Sequence, residues 1–305
     1  MSHEPPTDAA ASPFVSVVIP AYAAADDLPG CLEALETQTY PADRFEVIVV
    51  DNGGNEDVDE LVRHHPSVTL LREERPSSYI ARNRAVAVAR GEVIAFTDAD
   101  CRPKPGWIEA GVRALRSDDN AGYVGGRIEL FCRDPECPTL AEHYEMATAF
   151  RQKESVRGGY AATANVFTSR RVLDQVGGFD ESLKSLGDAV WTRSVVRAGY
   201  RPVYGHEAVV SHPCRLTLAQ VRGRAVRKTG GEHDLTRRRR HPVMHQLAGL
   251  VRTFVPLQRV RLILGYRAER GAWVRPRLLL LQGSITLIEM RERLRLLLGG
   301  RSSRA

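Results

Sequence analysis

From Phe14 to Asp98 the chain alternates short β-branched runs with helix-patterned stretches, and that alternation leaves few folds open. FVSVVIP (14–20) and FEVIVVD (45–51) are apolar on both faces and stop at a polar or turn residue, as strands covered on both sides do. Between them DDLPGCLEALETQT sets Leu28, Leu32 and Leu35 at helical spacing behind acidic capping candidates. EDVDELVRHH then reads as helix, VTLLRE as strand, SYIARNRAVAVARG as a helix closed by Gly91, and EVIAFTD as the next strand. This order predicts an α/β fold with a parallel sheet whose ligands bind beyond the carboxyl ends of the strands. After Pro105 the spacing predicts a helix in WIEAGVRALRSD, a glycine-broken strand in AGYVGGRIELF and a single helix in LAEHYEMATAFRQKES. The remainder beyond Pro213 is arginine-rich and helical, without an internal repeat.

The chain's 305 residues, 43% of them hydrophobic, suffice for one large or two small cores. The first twelve residues lack a basic start and apolar core and read as a flexible leader, not a secretory signal. No stretch reaches the roughly 18 apolar residues a membrane span needs. LLLLQGSITLIEM, from Leu278, is too short and is flanked by arginines. The five cysteines make no disulfide framework and suit a reducing cytoplasm. Cys132 and Cys137 lack a second Cys/His pair, so they read as plain thiols.

The net charge of +6 hides an asymmetry. From Leu216 onward there are 20 Lys and Arg against 5 Asp and Glu; the part before carries 23 against 32. A solvated face accounts for such a run, and so does attraction to a membrane surface or a lipid-diphosphate acceptor. LVRTFVPLQRVRLILGY and RPRLLLLQGSITLIEMRERLRLLLGG fit helices that lie on a bilayer, or that pack on the body or on a second subunit. Few aromatics and no binding module argue against nucleic acid.

GEVIAFTDADCRP (91–103) ends an apolar run in two carboxylates, Asp98 and Asp100, separated by Ala99. In extended backbone, residues two apart face the same way, so both can aim at one ligand. Hydrated loop carboxylates are one reading; a hard divalent cation that relieves their repulsion is the other.

VSVVIPAYAAADDLPGCLEALETQTYP, FEVIVVDNGGNED and ARNRAVAVARGEVIAFTDADC, in that order, resemble the family-2 nucleotide-sugar glycosyltransferases. GYAATANVFTSRRVLDQVGGFDESL and LGDAVWTRSVVRAGYRPVYGHEAVVSHP extend the resemblance from Val15 to Pro213. It implies a single nucleotide-binding GT-A-type α/β/α domain with a mixed, mainly parallel sheet, plus a helical arginine-rich C-terminal extension. The expected layout is a leader over 1–12, the transferase domain over 13–215, and a basic helical region over 216–305. Within that domain 13–130 would be the donor half and 131–215 the acceptor half.

The resemblance also assigns roles. Pro20, Ala21, Tyr22, Asp51, Asn52, Arg82, Asn83 and Asp98 would bind the donor nucleotide; Asp98, Asp100 and His212 would hold Mn2+ or Mg2+. Asp188 would be the catalytic base, and Asn165 and Gly187 would meet acceptor or sugar. Relatives often have aspartate at the place of Asn52, which leaves the nucleobase open, and a glutamate at the place of Gly187. The implied partners are a nucleoside-diphosphate sugar and a hydroxyl acceptor of the cell envelope, lipid-linked or small, with the enzyme cytoplasmic or peripheral at the inner membrane face. Two other readings stand beside it. A scaffold that kept the fold and lost turnover would explain Gly187; a sugar-nucleotide pyrophosphorylase would need a glycine-rich basic loop after the first strand, which IPAYAAADDLPG lacks.

Overall fold

Four of the β-branched runs form parallel neighbours. β1 (Val15–Ala21), β2 (Phe45–Asp51), β3 (Val68–Arg72) and β4 (Val93–Thr97) lie in the order β3-β2-β1-β4. β1 is buried at every position, as a central strand covered on both faces must be. β7 (Asn165–Ser169) pairs antiparallel with β4, and β6 (Ala121–Phe131) antiparallel with β7, so β6 again points with β4. β8 (Arg201–Pro213) and the two-residue β5 (Arg102–Pro103) complete an eight-stranded sheet, mixed and mainly parallel, in the order β3-β2-β1-β4-β7-β6-β8-β5. The strands are connected by α1 (Leu28–Glu36), α2 (Val58–Arg63), α3 (Ser78–Val88), α4 (Trp107–Leu115), α6 (Gln152–Arg157), α7 (Arg170–Val176) and α8 (Gly187–Arg197).

This computed structural model describes residues 12–53, 58–238, 242–267 and 273–302. The leader expected over 1–12, apart from Ser12, and residues 239–241 of the arginine run lie outside them. The chain divides into two compact units. One holds the residues up to Glu129 with 152–180 and 188–212; the other joins 130–151 and 181–187 to everything from Pro213 on.

Three local expectations change. Helix α3 ends at Val88, and Gly91 does not cap it. Gly91 lies against β1, where a Cβ would stand 2.5 Å from the Ser16 nitrogen, and its N–H donates to the Ser16 hydroxyl at 2.8 Å. The glycines of β6 do not break the strand. They make room for neighbours, Gly126 for the Asn165 amide and Gly122 for Val195 and Tyr200. The single helix expected after Thr139 is two, α5 (Leu140–Thr148) and α6, because Phe150 between them takes a left-handed φ of 46°.

In the second unit, α5 packs with α9 (Leu218–Arg237), α11 (Leu257–Gly265) and α12 (Val274–Leu297) around Tyr144, Val221, Ile263, Leu278, Leu281 and Ile285; α10 (Pro242–Phe254) also packs on α9 and α12. The α12 members recur every three or four residues, which gives one apolar stripe. A capping box of Thr217 and Gln220 starts α9. Glu145, fully buried, accepts from Arg215 at 2.6 Å and Arg224 at 2.9 Å. The arginine-rich extension is thus helical, as expected. Among the described residues no helix is long and apolar enough to cross a membrane.

In the first unit, Gly111 of α4 lies on the ring of Phe167, which also meets Trp107 at 4.8 Å between centroids. A Cβ on Gly111 would fall 2.2 Å from that ring. Gly111→Ala should therefore destabilise the fold by about 1–3 kcal/mol through overpacking, against about 1 kcal/mol gained in helix propensity. Urea unfolding should show a lower midpoint at unchanged slope.

Candidate active site

Strand β4 stops at Thr97, and the DAD triplet is a turn, not extended chain. The Asp98 carbonyl accepts from the Cys101 N–H at 3.0 Å, closing the turn before β5. The two carboxylates therefore do not line up as strand geometry would have them. Each meets its own partner side chain. Nη2 of Arg82, from α3, donates to Asp98 Oδ1 at 2.5 Å. Asp100 Oδ2 lies 3.6 Å from His212 Nε2, because β5 pairs with β8 and sets Arg102 opposite Ser211, one residue from His212.

Asp100, Cys101 and His212 bring ligand atoms within 4.8 Å of one another. Burial pushes the Asp100 carboxyl above the ordinary aspartate range; His212 opposes this and Asp98 adds to it. Cys101 was absent from the sequence-based ligand set. Burial, aided by Asp100 and Asp98, pushes its thiol well up, so it stands beside the pair as a neutral thiol.

Asp188 sits in the first turn of α8, where its Oδ1 accepts from the Ala189 N–H at 2.8 Å. Desolvation raises its pKa; that N–H and the charge of Arg82 oppose the rise, and Asp98 adds to it. Gly187 precedes it as the first residue of the helix.

An aromatic cluster braces this end of the unit. Phe179 meets Phe96 of β4 at 5.3 Å, Trp191 of α8 at 5.2 Å and Tyr79 of α3 at 6.1 Å, while Arg82 lies over its ring at 5.9 Å. The GG before Phe179 has a double cause. Gly177, at φ 86°, ends α7 and accepts from Trp191 Nε1 at 2.9 Å; Gly178 leaves the space that Asn83 fills.

Along the edge of β1 and β2, Ala21 and Asp51 are register partners, and the Asn52 N–H donates to the Ala21 carbonyl at 3.0 Å. Pro20 and Ala21 are buried in β1, and Tyr22 just beyond is exposed. Asp51 pairs with Arg72 at 2.9 Å, its register partner on β3, a counter-ion that sequence reading missed because it depends on which strands adjoin. Asn52 is only 3% exposed, and its Oδ1 has no hydrogen-bond partner among the described residues. A buried acceptor without a donor is costly in isolation, and a ligand N–H would satisfy it.

Two assignments change in the structure. The Asn83 amide clamps Phe179, donating to its carbonyl and accepting from its N–H at 2.8 Å each, a structural use that the nucleotide assignment did not include. Asn165 is no sugar contact. It is fully buried, accepts from Trp107 Nε1 at 2.9 Å and donates to the carbonyls of Arg127 and Ala208 at 2.9 Å, which occupies its donors.

Residues 16–177 match the model of glycosyl transferase family 2. The chain is 37% identical over 209 residues to glycosyltransferase AglE of Haloferax volcanii, a match covering 67% of this chain and 68% of the relative. It is 26% identical over 226 residues to the pre-mycofactocin glycosyltransferase of Mycobacterium tuberculosis, covering 72% of this chain and 46% of that one. Among solved structures, the mannosyltransferase PcManGT of Pyrobaculum calidifontis, in complex with GDP-Man and Mn2+, superposes with a TM-score of 0.61 at 20% identity, over 95% of this chain and 88% of the other. GalNAc-T7 with UDP, GalNAc and Mn2+ gives a TM-score of 0.54 at 16% identity, over 68% and 45%. These two likenesses carry the GT-A fold. The family match over more than half the sequence, together with the haloarchaeal relative, establishes that the chain belongs to glycosyl transferase family 2 and is a glycosyltransferase.

Proposed function

We propose that the chain is a metal-dependent, inverting glycosyltransferase that moves a sugar from a nucleoside-diphosphate donor to a hydroxyl acceptor, with Asp188 as general base. One observation carries the reading, a continuous electrostatic contact through groups from four separate elements. Arg82 bonds Asp98, Asp98 acts on Asp100, Asp100 meets His212, and Asp188 feels both Arg82 and Asp98. A desolvated aspartate beside such a network supports a functional reading.

The donor set fits a hard divalent cation: a half-buried carboxylate and an imidazole, close enough to share one ion, with the second carboxylate of the turn beside them. Asp100 and His212 would hold it. When bound, such an ion supplies Lewis-acid stabilisation of a leaving diphosphate. Arg82 holds Asp98 by one oxygen and leaves the other for ribose or metal. Tyr22 offers an exposed ring for the base, and Asn52 Oδ1 a buried acceptor that would read it. The nucleotides held by the solved neighbours, GDP-Man in one and UDP in the other, have the chemistry this edge would take. Residues 13–130 would form the donor half and 131–215 the acceptor half, with the missing side chain at Gly187 giving the acceptor room.

Asp188 acts only when ionised: it takes the proton from the acceptor hydroxyl as that oxygen attacks the face of the sugar opposite the leaving group. A base with a raised pKa lies nearer the working pH and accepts the proton more readily. One such displacement inverts the anomeric centre.

Asp188→Asn should lower kcat by about 10²–10⁴ while leaving nucleotide affinity unchanged. A scaffold would show no transfer to lose, and a fall in nucleotide affinity equal to the loss of rate would remove Asp188 as the base. Because its pKa is raised, kcat/KM should fall as pH drops through a value above the ordinary aspartate pKa of about 3.9. The residual activity of Asp188→Asn should lack that acid limb. Thermal shift with UDP, GDP and dTDP should reveal one nucleotide whose stabilisation needs Mn2+, worth about 2.7 kcal/mol at a hundredfold excess over Kd. Asp100→Asn should abolish the Mn2+-dependent stabilisation; a flat response across all three nucleotides would sink the donor assignment.

A further inference from the structure

Helix α12 has two apolar faces, and among the described residues one of them is packed and the other exposed. Leu278, Leu281 and Ile285 enter the core of the second unit. On the opposite side Trp273, at the helix N-cap, then Leu280, Leu287 and Leu294 recur every seven residues, and all four are exposed. Seven residues are close to two turns, so they form a line along the outside. Helix α10 repeats the arrangement: Met244, Leu247, Val251 and Phe254, three or four apart, are all exposed, while Gly249 and Thr253 face Arg293 of α12. Scattered surface leucines need no explanation; a regularly spaced exposed stripe on each of two neighbouring helices does.

Charge identifies what covers them. Among the described residues beyond Leu216, the acids are Glu232, Asp234, Glu289 and Glu292, and each is bound inside the unit: to Arg293, Ser302, Arg259 and Arg295 respectively. The exposed charges bordering the α12 stripe, Arg277 and Arg291, are positive, as is Arg261 of α11. A second copy laid on the same face would set these arginines against their own equivalents. A layer of anionic headgroups would pair with them while the leucines and Trp273 enter the acyl boundary, the usual arrangement of an interfacial helix with arginine stems and an aromatic at the rim. No described helix is long and apolar enough to cross a membrane. We infer that the outward faces of α10 and α12 dock this chain on an anionic lipid bilayer.

The test is vesicle co-sedimentation of the full chain, with tryptophan emission as a second readout. Of the three tryptophans, Trp107 and Trp191 are 0% and 2% exposed and Trp273 is 78% exposed, so a lipid-dependent emission change reports on α12. The chain should sediment with mixed phosphatidylglycerol and phosphatidylcholine vesicles, far less with phosphatidylcholine alone, and less as salt rises. Emission should shift to the blue on binding. Leu280→Gln with Leu287→Gln should weaken binding about a hundredfold, roughly tenfold for each side chain withdrawn from lipid. Circular dichroism and the melting temperature should not change, since both leucines are outside the core. Three results overturn the inference: no sedimentation with anionic vesicles, equal salt-insensitive binding to both vesicle types, or a lipid-free dimer that the double variant dissociates, which would make the occupant a second copy. No nucleotide or sugar enters the measurement, so it stands or falls apart from the transferase reading.

Discussion

Two aspartates one residue apart at the end of a buried strand pose a problem that the rest of this site resolves. Unit negative charges roughly 6–7 Å apart in a medium of effective dielectric about 20 repel by about 2–3 kcal/mol. The turn at Asp98–Cys101 splits them, giving Asp98 to Arg82 on one side and Asp100 to His212 on the other. Each partner depends on a different part of the fold. Arg82 needs α3 to pack where it does, with Phe179 under the guanidinium. His212 needs β8 to pair with β5 in one register, since a slip of one residue would turn its ring to the other face.

The same elements set the position of Asp188. Helix α8 is held by Trp191, whose ring packs on Phe96 and Phe179 and whose N–H is tied to Gly177. Phe179 in turn is fixed through both backbone polar groups by Asn83, in the residue next to Arg82. The ARN triplet and the GGFD stretch thus form one device, in which Arg82 carries charge and Asn83 supplies rigidity. The clamp thereby fixes α8, and Asp188 with it, relative to Arg82.

Much of this was legible in the sequence. The first four strands and the helices between them are marked by β-branched runs and leucine spacing, because burial on both faces leaves little choice of residue. Asp98, Asp100, Arg82, His212 and Asp188 are each marked by a local motif, and the structure pairs Arg82 with Asp98 and sets Asp100 beside His212. What escaped depends on distance along the chain. β7, inserted antiparallel between β4 and β6, carries Asn165, whose amide is occupied by residues from α4, β6 and β8. No local pattern distinguishes such a strut from a sugar contact. Arg72 opposite Asp51, and Cys101 beside Asp100 and His212, are likewise products of pairing, not of spacing.

The basic tail shows how composition and structure divide the work. An excess of arginine gives the sign of a surface, but not where its few acids lie. Here they lie inward. Glu289 is held by two nitrogens of Arg259 at 3.0 and 2.9 Å, and Glu145 of α5, fully buried in the same unit, is gripped by Arg215 and Arg224. Buried carboxylates of this kind are expensive to desolvate and survive only where the counter-ion is firmly placed. Their role is to register helices against one another, as Glu289 and Arg259 do for α12 and α11. With its described acids paired inside the unit, the surface keeps arginines as the exposed charges bordering its apolar stripes. A surface that is apolar and singly charged together is poorly matched to water and to its own copy, and well matched to a phase whose headgroups are negative and whose interior is hydrocarbon.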